Sequence, residues 1–276
     1  QLYSQDGEQE SWGLDDLIIL DLETNPAEPV KIGGWSGEYL HDVCVMDNIL
    51  YGCGIYSSSM IAFDITDKSN PEIITQWYGI PSAHACWVSE DGNILFTGSE
   101  TTGGHIMSWD VSDFSNIEYL DEWMPEGGEE WSAHNVFVLG QRLYISYYVY
   151  GLQVIDISDP ENLELAAFYD TFDQETQSIY NGAWGTYPFF GSENVIISDR
   201  RTGLYVVDVE GNTSSIGDIN QDSDTNIMDV IVLIGFVLEN TFPTDLEFSI
   251  SDLNEDGELD VLDVIALVNF ILEYPS

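Results

Sequence analysis

A short apolar sequence motif that ends in Asp recurs along most of this chain. The Asp residues that end it are separated by steps of 43, 46, 46 and 52 positions, and they are Asp21, Asp64, Asp110, Asp156 and Asp208. A period of about 40 to 50 residues is typical of folds that build one small sheet several times around an axis. The repeat therefore limits the possible folds more than any other feature of the sequence.

Each copy of the motif predicts a strand that ends at an Asx or Ser/Thr turn. In three copies a proline follows and prevents the strand from continuing, at Asn25-Pro26, Asn70-Pro71 and Asp159-Pro160. Further strand-like segments follow each turn, so that a unit contains four strands. We therefore predict a mainly β fold, a β-propeller of four-stranded blades, with about four to five units between residues 14 and 211.

The first and last of these units are incomplete. The first shows only its last two strands, and the last lacks its fourth. Three explanations are open: an N-terminal part is missing, the Leu2-Tyr3 region and the ends close the ring by shared strands, or an open edge pairs with another molecule.

Two acidic segments, 218–229 and 252–263, repeat one pattern 34 positions apart. Both place Asp or Asn at the first, third, fifth, ninth and twelfth positions, which is the spacing at which a loop supplies oxygen ligands to calcium. These side chains are Asp218, Asn220, Asp222, Asn226 and Asp229 in the first loop, and Asp252, Asn254, Asp256, Asp260 and Asp263 in the second. We predict two calcium ions; the alternative is a pair of solvated turns that cap two helices.

The first calcium site is predicted to be the weaker one. At the sixth position, where the backbone of such a loop turns sharply, the second loop has Gly257 and the first has Ser223. A positive φ on a residue other than glycine costs on the order of 1 kcal/mol.

The twelfth residue of each loop is Asp rather than Glu, and one apolar helix is expected after each loop, over 230–238 and 264–271. With these features, residues 217 to about 272 resemble a type I dockerin, the small calcium-dependent module that docks onto cohesin domains in secreted proteins. The resemblance implies that the ten side chains above bind metal, and that Asp224 and Glu258 contribute main-chain carbonyl oxygens.

The same resemblance implies a cohesin-like partner. In cellulosomal dockerins the two residues before the last ligand often form a polar pair that reads the partner, whereas here they are Ile227-Met228 and Val261-Leu262. An apolar pair implies either a different class of cohesin or packing against the protein's own surface.

The recurring motif is similar to the LVIVP repeat of secreted propellers, including choice-of-anchor B family proteins. Those proteins end in varied surface-attachment modules. The resemblance covers about residues 14–210. It implies an extracellular or cell-surface protein, although no signal peptide is visible in this chain.

Three units begin their innermost strand with histidine, at His41-Asp42, His84 and His134-Asn135. Because the innermost strands of a propeller line its axis, we expect the three imidazoles to converge near the channel mouth. Two interpretations are open: an axial site for a transition metal or a polar ligand, or a structural hydrogen bond repeated between blades.

The chain is strongly acidic, with 50 Asp and Glu against 5 Lys and Arg and a formal charge of −45. Without a basic patch to neutralise phosphates, nucleic acid and anionic membrane surfaces are excluded as partners. No apolar stretch is long enough to predict membrane insertion.

Cys44, Cys53 and Cys86 make an odd count, which argues against a disulfide framework. Cys44 and Cys53 can face each other across a hairpin, and buried free thiols are the alternative.

The expected organisation is an N-terminal segment (1–13), a propeller (14–211), a linker (212–216) and a calcium-binding domain (217–276). We expect a binding or scaffold protein presented through its docking module. One alternative is a structural subunit that forms a fibre or surface layer by homo-assembly. The other is a dockerin-tethered enzyme acting on polysaccharide, which is less favoured because no catalytic residue stands out.

Overall fold

The structure, a computed structural model, describes residues 15–174, 176–190, 194–209, 217, 219–220, 225–238, 242–243, 248, 250–254 and 256–273. The chain divides into two compact units, Gln1–Val209 and Glu210–Ser276. The predicted N-terminal segment, the Leu2-Tyr3 region and the linker lie outside the described residues. The detailed domain limits therefore stay predictions.

The described part of the first unit is built from antiparallel sheets whose strands follow one another in chain order. A two-stranded sheet contains β1 (Leu17–Asp21) and β2 (Val30–Trp35). Three four-stranded sheets follow: β3 (Val43–Met46), β4 (Ile49–Gly54), β5 (Ser59–Asp64) and β6 (Glu72–Tyr78); β7 (Ala83–Val88), β8 (Ile94–Ser99), β9 (Ile106–Asp110) and β10 (Glu118–Trp123); and β11 (Val136–Leu139), β12 (Arg142–Ser146), β13 (Leu152–Asp156) and β14 (Glu164–Tyr169). A three-stranded sheet contains β15 (Ala183–Tyr187), β16 (Asn194–Asp199) and β17 (Gly203–Asp208).

The predicted mainly β architecture with four-stranded blades is confirmed. The recurring Asp is the last residue of the third strand in each full sheet, at Asp64, Asp110 and Asp156. Because Asp21 ends β1 in the same way, β1 and β2 correspond to the third and fourth strands of a blade. The incomplete first and last units of the repeat are thus the two-stranded and three-stranded sheets.

The recurring Asp ends its strand by accepting a hydrogen bond from the backbone two residues later. Asp64 Oδ1 accepts from Thr66 N at 2.8 Å, and Asp110 Oδ1 accepts from Ser112 N at 2.9 Å. These are the predicted Asx turns, in which a short polar side chain replaces the partner that the backbone loses at the end of a strand.

Neighbouring sheets pack through apolar clusters. One cluster joins the β3–β6 sheet to the β7–β10 sheet, and another joins the β7–β10 sheet to the β11–β14 sheet. The first strand of each sheet also lies beside the first strand of the next, because β3 contacts β7, β7 contacts β11, and β11 contacts β15. This arrangement brings equivalent residues of successive blades together along one line.

The three cysteines are buried and free. Cys44 and Cys86 come from neighbouring sheets, and their Sγ atoms lie 3.3 Å apart. Across the β3–β4 hairpin, Cys44 is opposite Tyr51 rather than Cys53. The thiols therefore meet between two blades rather than across one hairpin.

The described residues of the second unit include two α-helices with full bounds, α1 (Ile227–Val237) and α2 (Val261–Glu273). Their apolar core includes Leu233, Phe236 and Leu267, with Ile219 and Ile250 beside them. Both helices begin three residues earlier than predicted. The reason is the ninth loop residue, which acts as an N-cap: Asn226 Oδ1 accepts from Met228 N, and Asp260 Oδ1 accepts from Leu262 N.

Candidate metal-binding and docking sites

The second acidic loop folds its oxygen-bearing side chains inward onto its own backbone. Asp252 Oδ2 accepts from Gly257 N at 2.9 Å, and Asn254 Oδ1 accepts from Asp256 N at 3.0 Å. Gly257 has φ 84°, which is the left-handed conformation that the sixth loop position requires. The loop therefore makes the sharp backbone turn at its sixth position that the calcium-loop pattern predicts.

The twelfth residue of this loop ties its beginning to its end. Asp263 is fully buried. Its Oδ1 accepts from Leu253 N at 2.9 Å and from Asn254 N at 3.3 Å, and its Oδ2 accepts from Asp260 N at 2.9 Å. The first loop repeats this arrangement: the buried Asp229 accepts from Ile219 N and Asn220 N through Oδ1, and from Asn226 N through Oδ2.

Three of the predicted ligands, Asp218, Asp222 and Asp224, lie outside the described residues. In the second loop, Asp256 Oδ1 accepts from Glu258 N and Asp256 Oδ2 accepts from Asn254 Nδ2. No three acidic side chains of the described part of this loop bring their carboxylate oxygens within 4.8 Å of one another, so the joint binding of one ion by these residues stays a prediction. Glu258 is exposed, which agrees with a contribution from its main chain only.

The charge of the second unit favours a bound cation. Residues 210–276 contain no Lys, Arg or His, although two carboxylates are buried among further acidic side chains. Burying an anion without a compensating charge is costly, and backbone N–H donors offset only part of that cost. Oxygen donors without nitrogen or sulfur are the set that calcium prefers, so the described residues fit this ion.

Both helices expose an apolar face. On α1 the exposed side chains include Ile227, Met228 and Ile231, and on α2 they include Val261, Leu262 and Ile265. Each residue of the first set is 34 positions before its counterpart in the second. The two helices therefore present the same apolar pattern, separate from the side chains that form the core of the unit.

In the first unit, the three repeated histidines stack in one row. The ring centroids of His41 and His84 are 4.3 Å apart, and those of His84 and His134 are 4.4 Å apart. The indole ring of Trp184 continues the row, with its centroid 4.9 Å from that of His134. The row follows from the fold, because each residue begins the first strand of its blade or lies just before it.

These rings line a cavity of about 690 Å³, which we name the axial cavity. Its lining residues are His41, His84, Glu100, His134, Tyr148, Tyr180, Trp184, Ser198, Asp199 and Arg200. Asp42 and Asn135, which the sequence pattern grouped with the histidines, are not among them. Successive residues of a strand point to opposite sides, and Asp42 lies toward Cys86, where burial and then the nearby thiol raise the pKa of its carboxyl to about 6.

Burial affects the imidazoles in the opposite direction. It lowers the pKa of His84 to about 4, with His41 as the second cause, and it lowers the pKa of His134 to about 3, with His84 as the second cause. Both rings are neutral at pH 7, which is the form that can bind a metal. The Nδ1 atoms of His84 and His134 are buried without a hydrogen-bond partner.

The sequence pattern assigned only the three histidines among the lining residues to this site, and it missed Glu100 and Tyr148 among others. Glu100 directly follows β8, and its backbone N–H donates to Ser82 O, which places it beside His84. Tyr148 Oη donates to Glu100 Oε1 at 2.6 Å. The strand register is the signal from which Glu100 could have been identified. Ala83 pairs with Ser99, so the residues next to them, His84 and Glu100, lie close together.

No helix in the described residues is long and apolar enough to cross a membrane.

Comparisons with known proteins agree with both units. Residues 216–272 match the family model of the dockerin type I domain, which is a calcium-binding module. Residues 131–171 match the family model of the LVIVD repeat, which is the repeat given as LVIVP in the sequence analysis. No curated protein matches the chain.

Several solved structures are similar to the chain at 12% sequence identity, which shows the fold alone. The periplasmic gluconolactonase of Pseudomonas aeruginosa has a TM-score of 0.56, with 71% of this chain and 60% of that chain covered. A Lactobacillus plantarum protein has a TM-score of 0.56, with coverages of 70% and 60%. The β-propeller domain of Myceliophteria thermophila Cps50 (Swd1) has a TM-score of 0.51, with coverages of 70% and 63%.

The chain thus spans about three fifths of the length of these propellers. Taken together, the repeated blades, the acidic loops and these matches show that the chain is a β-propeller with an LVIVD repeat, followed by a dockerin type I-like module.

Proposed function

We propose that this chain is an extracellular or cell-surface binding and scaffold protein, and that its C-terminal module docks the propeller onto a cohesin-like partner when calcium is bound. Dockerin domains bind cohesins and occur in secreted or cell-surface proteins, which supports both parts of the proposal. The observation that carries it is the pair of equivalent apolar helix faces, each next to an acidic loop.

Calcium orders the module in this proposal. One ion binds the first loop and one binds the second, through the side chains of positions one, three, five, nine and twelve and the main-chain carbonyls of Asp224 and Glu258. The first site is weaker because Ser223 replaces the glycine of the second loop. Neutralising the clustered carboxylates holds each loop closed, and the loop in turn fixes the start of its helix.

The docking contact is apolar. Ile227 is 62% exposed and Val261 is 59% exposed, although both directly follow a calcium-binding position. Such exposure of large apolar side chains on a small domain marks an interaction surface. Since the module carries no basic residue, a partner with an apolar groove and a basic rim complements it best.

Binding to immobilised cohesin domains, measured in calcium and in excess EGTA, tests the proposal. We expect binding in calcium only. The double variant Met228→Asp/Leu262→Asp changes two side chains that are each 52% exposed, so it should keep the fold and lose binding at least 10-fold. Phe242→Asp, at an exposed position outside both helices, is the matched control and should bind normally. Equal binding by the double variant, or binding that persists in EGTA, would contradict the proposal.

A second candidate function is self-assembly through a blade edge. In the described residues, β17 is the edge of a three-stranded sheet and exposes Leu204 (68%) and Val206 (62%). A strand from a second copy would complete four strands, as in the other blades. Light scattering after size-exclusion chromatography should then show particles that grow with concentration in the wild-type protein and a monomer for Leu204→Lys/Val206→Lys. A monomeric wild-type protein at every concentration would rule this candidate out.

A further inference from the structure

We propose that the axial cavity binds one divalent transition-metal ion, held by His41, His84 and Glu100. This site is separate from the calcium loops, and it gives the propeller a binding chemistry that the docking function does not include.

The three side chains already face one another. One ligand atom from each lies within 4.8 Å of the ligand atoms of the other two. His84 Nε2 and Glu100 Oε2 are 3.6 Å apart, which is beyond a normal hydrogen bond. Two ligands on a tetrahedral zinc ion, with bonds of about 2.1 Å, lie about 3.4 Å apart. The observed spacing is thus closer to that of two metal ligands than to that of a bonded His–Glu pair.

Tyrosine hydroxyls orient two of the three ligands. Tyr148 Oη donates to Glu100 Oε1 at 2.6 Å, which leaves Oε2 on the side of His84. Tyr39 Oη lies 3.3 Å from His41 Nδ1, which leaves Nε2 for an ion. Metal sites commonly have such outer partners, because they fix the direction in which a ligand presents its lone pair.

A purely structural stack of histidines explains these contacts less well. The backbone of His134 interacts with the His84 ring, and that of Trp184 interacts with the His134 ring, so the row does have contacts between blades. These contacts do not include the Glu100 carboxylate, whose Oε2 lies 3.6 Å from His84 Nε2. The His84 side chain is only 6% exposed and that of Glu100 only 17% exposed. A cation between them would satisfy a ring nitrogen and a largely buried carboxylate together.

The donor set distinguishes this site from the calcium loops. Two imidazoles and one carboxylate suit zinc and similar transition metals, whereas calcium prefers oxygen alone. Three protein ligands also leave a coordination position open. That position faces a cavity of about 690 Å³, which is large enough for a small ligand to join the ion.

Cobalt(II) titration of the full chain, followed by visible absorption, tests the proposal. The protein is first stripped of metal and then given excess calcium, so that the acidic loops are occupied. We expect one Co²⁺ ion to bind per chain and to give the visible absorption bands of cobalt with nitrogen and oxygen ligands and a low coordination number. These bands should disappear when one equivalent of Zn²⁺ is added. Ions held only by the acidic surface keep the weak spectrum of hydrated Co²⁺ and do not produce these bands.

Variants locate the ion. His41 is exposed, so His41→Gln should leave the melting temperature of the metal-free protein unchanged while the bands disappear. Glu100→Gln and His84→Gln should also lose them. The fourth histidine of the chain, His105, lies outside the axial cavity, and His105→Gln is the matched control that should keep the wild-type spectrum. Tyr148→Phe should keep the bands but weaken cobalt affinity about 10-fold, because Tyr148 orients the ligand without touching the ion.

The proposal is wrong if the wild-type protein shows no such bands, or if His41→Gln and Glu100→Gln both bind Co²⁺ with the wild-type spectrum and affinity. Because calcium is present throughout and the loops are unchanged in all variants, a negative result would not affect the docking function.

Discussion

At the scale of single residues, Asp263 links the second acidic loop to the helix that follows it. Its two carboxylate oxygens accept three backbone N–H groups from the beginning and the end of the loop, and it is fully buried. Asp229 does the same in the first loop. The residue type is critical because a carboxylate can accept all these hydrogen bonds and still bind a cation.

Asp263→Asn should therefore weaken the second calcium site and destabilise the module. The amide replaces one accepting oxygen with a donor, which leaves Asp260 N or the Leu253–Asn254 pair without an acceptor at a cost of about 1–3 kcal/mol. Chemical denaturation in calcium, followed by the far-ultraviolet helix signal, measures this loss. Glu258→Gln is the control: it removes one negative charge from an exposed side chain of the same loop and should change stability little. An equal loss in both variants would mean that only net charge matters.

Residue-scale sequence patterns predicted the two acidic loops and the histidine row but not the whole axial cavity. Spacing alone specifies a calcium loop, because all its ligands come from one short segment. The histidines were found because one residue type repeats with the blade. Glu100 and Tyr148 come from different blades and do not repeat, so only the strand register brings them to His84. Asp42 and Asn135 were grouped with the histidines because the strand alternation was not applied to them.

At the scale of secondary-structure elements, α1 and α2 each have one face in the core and one face exposed. Leu267 is fully buried in the core of the second unit, whereas Ile265, two residues earlier on α2, is 51% exposed. The sequence predicted both helices, but it placed their starts at 230 and 264, because the apolar pattern becomes clear only after the capping residues. The first turn, which carries the exposed pairs at 227–228 and 261–262, is helical as well.

Leu267→Ala and Ile265→Ala should separate folding from docking. Removing the buried leucine side chain should destabilise the second unit by about 2–5 kcal/mol. Removing the exposed isoleucine side chain should change stability by less than about 0.5 kcal/mol and should weaken cohesin binding. Thermal unfolding with calcium present, combined with the binding assay above, checks both. A large stability loss in Ile265→Ala would mean that this face packs within the protein.

At the scale of the whole molecule, charge is distributed unevenly. All five Lys and Arg residues lie between Lys31 and Arg201, so every charged side chain of the second unit is acidic. The repeat predicted the blades well because each blade reuses the same strand and Asx-turn chemistry. It did not predict how the incomplete sheets at the two ends are completed, because that depends on contacts outside a single repeat.

Sodium chloride should stabilise the whole protein. Raising its concentration from about 0.05 M to about 0.5 M shortens the Debye length to roughly 4 Å and screens the repulsion among surface carboxylates. We expect the melting temperature to rise by several degrees at constant calcium, with most of the increase at low salt. An unchanged or lower melting temperature would show that self-repulsion does not limit stability.

Calcium titration of the full chain by isothermal calorimetry tests the central claim most directly. In buffer with enough salt to suppress weak surface binding, we predict two calcium ions per chain, one bound more weakly than the other, with a gain of helix signal on binding. Asp229→Asn/Asp263→Asn should abolish both events. If the wild-type chain binds no calcium under these conditions, or if the double variant binds as the wild type does, the acidic loops are helix caps only and the account of calcium-dependent docking is wrong.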